Sequence, residues 1–187
     1  MNPTRRRLWL AVGAVALVQS ALLGSMVWDR VQLLKHGREI VLPIVPVDPR
    51  SLFRGDYVRL SYDVSRVPAR VIEGRLPRGA TVYVTIGRGA DGIWTPVKAA
   101  PAHDAPGGTE AIVLKGRLEH GGPIDGRDSF VRYGIESYFV PEGKGRELEA
   151  LARDQQLAAV VAVDARGNAA IKGLMIDGKL TYEEPLF

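Results

Sequence analysis

The sequence predicts an α+β protein that is mostly β: an N-terminal transmembrane helix, then a β-rich domain, partly open barrel or sandwich-like, with one helix. Three observations predict it. Residues 8–28 carry no charged side chain. From Pro43 onward, apolar residues recur at every second position in short runs set apart by Gly, Pro, Asn and Asp, the pattern of strands with one buried face. Only one later segment, 146–153 (RELEALAR), is rich in helix formers.

Each element follows in chain order. Residues 1–7 form a basic tail containing Arg5, Arg6 and Arg7. The 21 uncharged residues that follow, LWLAVGAVALVQSALLGSMVW, just cross a hydrocarbon core of about 30 Å at about 1.5 Å of rise per residue. Trp9 and Trp28 stand at the two ends, where indole favours the headgroup layer. The three arginines hold the N-terminus on the cytoplasmic side and place the rest of the chain across the membrane. The core is longer than that of a cleavable signal peptide, although Val18-x-Ser20 is a weak cleavage candidate. Thr4-Arg5-Arg6-Arg7-Leu8 partly matches a twin-arginine signal, but no cofactor signature calls for folded export. A single uncleaved anchor over 8–28 is the expectation.

Residues 29–42 read as a juxtamembrane stalk, helical at first, ended by Gly37 and finally by Pro43. The remainder, 43–187, reads as one β-rich domain. Strands are expected over 57–64, around Val82, Val84 and Ile86, around Ile112, Leu114 and Leu118, and over 130–140. Residues 157–163 and 169–176 read as a hairpin closed by Asp164-Ala165-Arg166-Gly167-Asn168, and Asp177-Gly178 turns the chain into a last strand at 179–183. Residues 99–108 (AAPAHDAPGG) are the most loop-like.

The chain has 187 residues, 25 Lys+Arg, 21 Asp+Glu and no Cys. Lack of Cys excludes a disulfide framework, a thiolate nucleophile, an iron–sulfur cluster and a Cys-based zinc site. The net charge of +4 is mostly the N-terminal arginines; residues 8–187 hold 22 basic and 21 acidic side chains. No basic stripe with interleaved aromatics appears, so nucleic acid is not an expected partner. His36, His103 and His120 have spacings unlike a zinc site, and no metal or cofactor is expected. Gly87-Arg88-Gly89-Ala90-Asp91-Gly92 lacks the Lys-Ser/Thr of a phosphate-binding loop and reads as a hairpin turn. Glu136, among aromatics in an expected strand, is a candidate general acid if half-buried, and otherwise an outward-facing or Arg-paired carboxylate.

The densest local signal is VDPRSLFRGDYVRLSY over 47–62. Asp48-Pro49 starts a turn and Gly55-Asp56 makes a tight corner feeding a strand. A turn entering a core strand accounts for these residues. The functional alternative is a partner-binding patch of Arg50, Arg54, Gly55, Asp56, Tyr57, Arg59, Leu60 and Tyr62.

Residues 55–62 read Gly-Asp-Tyr-x-x-Leu-x-Tyr, and the chain here resembles the GDYXXLXY proteins, bacterial membrane-anchored proteins. VDPRSLFR before it, YGIESYFVPEGKGRELE later and AAIKGLMIDG near the end are also similar to that family, so the resemblance spans most of 44–178. It implies a bacterial inner-membrane protein and brings no catalytic residue. A weaker similarity links Pro49-Arg50-Ser51-Leu52-x-x-Gly55-Asp56-x-Val58 to signal-peptidase-like Ser/Lys hydrolases. Their nucleophile precedes the proline, where this chain has Val47 and Asp48; Ser51 is misplaced, and neither Lys98 nor Lys115 is singled out as its base.

The expected function is therefore an accessory, partner-binding component of the cell envelope, its domain extracytoplasmic and its partner another envelope or membrane protein. The alternatives are a membrane-bound Ser/Lys hydrolase and a module binding a small envelope ligand such as a glycan.

Overall fold

The computed structural model describes residues 3–45, 57–104, 110–119, 126–139, 148, 151, 154 and 156–183. One long apolar helix precedes two antiparallel five-stranded sheets and a two-stranded ribbon. The sheets face each other as a sandwich and do not close into a barrel.

Helix α1 spans Pro3–His36. Its segment Trp9–His36 has a mean hydropathy of 2.0 over its most apolar window and is long enough to cross a membrane. No part of the domain covers that window, and Trp9 and Trp28 are 71% and 65% exposed. By length and composition it fits a membrane anchor or a signal sequence. Lys35 and His36 occupy its last turn, favourable for the helix dipole, and the Gly37 N–H donates to the Leu33 carbonyl at 2.9 Å to close it. Its C-terminal end is not a free stalk. Leu34 is buried, and α1 contacts strands β10 (Leu157–Val163) and β11 (Ala169–Ile176). On β10 the residues facing away from the core, Val160 and Ala162, are buried as well. A Cβ at Gly37 would stand 3.0 Å from the Val163 nitrogen and 3.1 Å from the Ala162 Cβ, so glycine is what lets the chain pass this close.

The sheet begins earlier than the expected stalk allowed. Strand β1 is Arg38–Val45, with Ile40, Leu42 and Ile44 buried in alternation. It lies fourth in the order β12-β11-β10-β1-β3. Pro43 does not end the element because it sits at a handover. It is the last residue of β1 paired with β10, opposite Ala158, and pairing with β3 (Ser61–Tyr62) starts at Ile44.

Strands β10, β11 and β12 (Lys179–Glu183) take the expected bounds. In the loop between β10 and β11, the Asp164 carboxylate accepts hydrogen bonds from the Arg166 N–H (2.8 Å), the Asn168 N–H (2.9 Å) and the Asn168 side-chain amide (2.8 Å). Burial by itself would raise this carboxyl; those bonds and the Arg166 guanidinium outweigh it and hold the group below the ordinary carboxylate value. Its stabilisation is therefore complete above the unfolded value and is lost as pH falls through the lower folded one. Asp164→Ala is expected to cost about 1–3 kcal/mol, read as a lowered denaturant midpoint, and to flatten the acid limb of the stability–pH profile.

The second sheet has the order β4-β8-β7-β5-β6, built from β4 (Arg66–Val67), β5 (Thr81–Arg88), β6 (Trp94–Ala100), β7 (Ala111–Leu118) and β8 (Ser129–Arg132). The glycine loop after β5 is a hairpin turn, with the Ile93 N–H on the Asp91 carboxylate at 3.0 Å. Strand β6 is longer than its sequence signals. Pro96 interrupts it, but it is an edge strand with a register shift opposite, where proline is tolerated. It also takes in Ala99 and Ala100, the start of the expected loop.

The expected strands 57–64 and 130–140 are each broken. The first becomes β2 (Tyr57–Arg59), β3 and a 3₁₀ turn at Asp63–Ser65 before β4; the second becomes β8 and β9 (Ser137–Phe139), divided at Gly134 with φ +82°. Strands β2 and β9 pair with each other. The segment 57–67 thus joins the ribbon through β2, the first sheet through β3 and the second through β4. One hydrophobic cluster runs between the sheets, from Ile40, Leu42 and Ile44 through Tyr62, Val84 and Leu114 to Val161 and Leu174. Of the helix expected over 146–153, Leu148 and Leu151 are helical and Leu148 is fully buried; its other residues lie outside those described.

Candidate functional site

The eight residues of the sequence-derived patch fall into three groups. Arg50, Arg54, Gly55 and Asp56 lie outside the described residues. Tyr57 is placed by its backbone in β2, opposite Phe139, and Arg59 is exposed opposite Ser137. Leu60 and Tyr62 point into the core, at 3% and 2% exposure.

What the structure adds is the partner of this strand. Residues 60–64 are bound to residues 133–136 by three hydrogen bonds. The Leu60 N–H donates to the Glu136 carbonyl (2.9 Å), the Tyr62 hydroxyl to the Ile135 carbonyl (2.8 Å), and the Tyr133 hydroxyl to the Val64 carbonyl (2.8 Å). Each segment contributes a tyrosine whose hydroxyl satisfies a buried carbonyl of the other. Two stretches that resemble one family, some 70 residues apart in sequence, thus form one unit, continued by the β2–β9 pairing.

Both phenols are buried, which pushes their pKa values well above the ordinary range, and the Glu136 charge adds to the effect. They therefore remain protonated donors at any physiological pH, and the bracing does not titrate. Neither is an activated acid or nucleophile.

Glu136 is also bound into the turn. Its carboxylate accepts the Tyr133 N–H at 2.6 Å and the Gly134 N–H at 3.0 Å, fixing the positive-φ corner at Gly134. Both of its oxygens are thus taken up by backbone amides of its own turn. It borders a shallow cleft of about 440 Å³ that also contains Arg78, Arg117 and Arg132.

The ribbon itself stands outside both sheets. No other described strand pairs with β2 or β9. Tyr138 is buried, whereas Arg59 and Ser137 are exposed and Phe139 is 76% exposed. An exposed aromatic side chain and an exposed guanidinium lie on this two-stranded ribbon. The sequence marked Arg59 by itself and Phe139 only as part of the expected strand 130–140; the finer signal was the alternation of Ser137, Tyr138 and Phe139, which puts Phe139 outward once Tyr138 is inward.

The hydrolase residues do not assemble among the described residues. The Lys98 ammonium donates to Asp104 at 3.0 Å and lies 3.7 Å from Glu73. That hydrogen bond, with the nearby carboxylates, raises its pKa, opposite to what a lysine base needs. Ser51 lies outside the described residues. His103 meets the Tyr83 ring edge-on at 5.4 Å, His36 ends α1, and His120 is outside the described residues. No three His, Asp or Glu side chains gather as metal ligands among the described residues.

No curated protein and no solved structure matches the chain significantly. One family profile does, over residues 19–174, described as GDYXXLXY protein. It begins inside α1 and ends in β11, so it takes in both tyrosine-braced segments and both sheets. With most of its length matched, the chain belongs to the GDYXXLXY protein family.

Proposed function

We propose that this is a single-pass inner-membrane protein, N-terminus cytoplasmic, whose extracytoplasmic domain binds another envelope or membrane protein through the β2–β9 ribbon. The observation that carries the reading is the exposure of Phe139 and Arg59 together on a short ribbon that belongs to neither sheet. A short ribbon that presents exposed anchors is a form of surface that partner segments recognise. Aromatic residues and arginine are enriched at protein–protein interfaces. The tyrosine bracing beneath supplies rigidity, so the ribbon is presented without an ordering cost on binding. The arginines at positions 5–7 support the orientation by the positive-inside rule.

The test is a detergent pull-down of tagged full-length protein from native membranes, comparing wild type with Arg59→Glu/Phe139→Lys. A stoichiometric membrane partner is expected, its recovery reduced at least about tenfold in the variant, as loss of two anchors implies, with an unchanged melting temperature. Equal recovery by the folded variant would refute the ribbon as the contact surface.

A further inference from the structure

A second surface lies where α1 enters the domain. Two adjoining hollows, of about 620 and 650 Å³, share Asp29, Leu33, His103, Asp164, Ala165 and Arg166. Together they form one cleft with three walls. The last two turns of α1 make one, the β10–β11 loop a second, and the β5 and β7 strands with His103 the third. The Lys115 N–H on the Gly167 carbonyl at 2.8 Å and the Arg38 guanidinium on the Ala111 carbonyl at 3.0 Å tie these walls together.

The charge of the cleft is mixed but predominantly positive. Arg30, Arg38, Lys115 and Arg166 line it against Asp29 and Asp164. Asp164 is already engaged by three hydrogen bonds of its own loop and by an ion pair with the Arg166 guanidinium at 3.5 Å. Arg166 is 72% exposed and Lys115 is exposed. Leu33, Ile112 and Val163 supply an apolar floor.

Position decides what such a cleft meets. The charge-free stretch ends at Trp28 and the cleft begins at Asp29. Eight residues of helix from Asp29 to His36 rise about 12 Å, and the polar layer adds roughly 5–8 Å outside the hydrocarbon on each side. With α1 in a bilayer, the lower part of the cleft lies at the level of lipid phosphates. We propose that this cleft seats the headgroup of an anionic phospholipid from the leaflet on the domain's side, its phosphodiester held by Lys115, Arg166 and Arg30. Basic pockets beside membrane helices bind lipid headgroups in this way. A seated lipid would lock the domain against the membrane and fix the direction in which the ribbon points.

The proposal rests on α1 being retained as an anchor, and one experiment separates the two. Full-length protein extracted from membranes is examined by native mass spectrometry, titrated with phosphatidylglycerol, with phosphatidylcholine and with soluble glycerophosphate. The intact mass reports whether residues 1–28 are present; a processed mass would overturn the anchor and the lipid site together. With α1 retained, phosphatidylglycerol adducts are expected at least about fivefold above phosphatidylcholine, with none from glycerophosphate. Lys115→Glu/Arg166→Glu should bring phosphatidylglycerol adducts down to the phosphatidylcholine level at an unchanged melting temperature, while capture of a partner at the ribbon persists. Equal adducts from both lipids, saturation by glycerophosphate alone, or an unaffected double variant would each overturn the lipid site and leave the anchor standing.

Discussion

Tyr62→Ala is expected to destabilise the domain by about 4 kcal/mol or more. Tyr62 is among the largest fully buried side chains, and deleting a buried aromatic ring costs about 3–5 kcal/mol through lost burial and the cavity left behind. The Ile135 carbonyl loses its 2.8 Å donor at the same time, and an orphaned buried acceptor adds about 1–3 kcal/mol where water cannot enter. Domains of this size have only about 5–15 kcal/mol in total, so the variant sits near the folding threshold. Tyr62→Phe keeps the ring and removes only the hydroxyl. It should cost about 1–2 kcal/mol, a drop of roughly 2–8 °C in melting temperature for a domain of this size. Circular dichroism of the full-length protein in mild detergent reads both. A Tyr62→Ala variant melting within 3 °C of wild type, against this estimate, would show that the tyrosine does not brace the fold.

Gly116→Leu is expected to act on the same bracing from the other side. Gly116 lies in β7 opposite Val82, and the space its side chain would take is filled from β8 and the segment after it. A Cβ there would stand 2.8 Å from the Arg132 carbonyl and 2.9 Å from the Tyr133 ring, and would collide with the Val131 side chain. Since Tyr133 is buried and donates to the Val64 carbonyl, it has no room to yield without breaking that bond. Overpacking alone costs about 1–3 kcal/mol, and displacing Tyr133 adds the loss of its hydrogen bond. Gly116→Ala should show the smaller part of the effect and Gly116→Leu the whole. If the two variants melt like wild type, Tyr133 is not seated against this strand.

Much of the fold was legible in the sequence because its signals are local. Residues 157–183 declare two turns through Asp164-x-x-Gly-Asn and Asp177-Gly178, and the strands between them fall where alternation and β-branched residues put them. The glycine loop after β5 was equally plain. The start of β1 was obscured because Ile40, Leu42 and Ile44 were read with a helix on one side and a proline on the other; only the pairing with β10 and β3 explains why Pro43 is harmless. Strand β6 was missed for a related reason, since an edge position tolerates a proline that would disqualify a central strand. The candidate site was legible in part. Its residues were flagged by density of turn and aromatic chemistry, and alternation along the strand puts Leu60 and Tyr62 on one face and Arg59 on the other, as the structure has them. Alternation does not show that Tyr133 and Glu136 complete the unit, because that contact is made across some 70 residues of intervening chain.

The pairing of the two segments also changes what the family pattern means. In GDYVRLSY the fixed leucine and the final tyrosine are core residues bound to the YGIESYF segment, so they maintain the platform; under the proposed function, recognition falls to the residues that the platform exposes.

The most direct test of that division is site-specific photocrosslinking in intact cells, with a benzophenone amino acid placed at Phe139 and, as a comparison, at Leu180, which is exposed on β12 at the opposite side of the first sheet from β3. A discrete adduct of one added protein from position 139 and none from position 180 is the result predicted here. No adduct at position 139, or the same adduct from both positions, would contradict the ribbon as the surface through which this protein meets its partner.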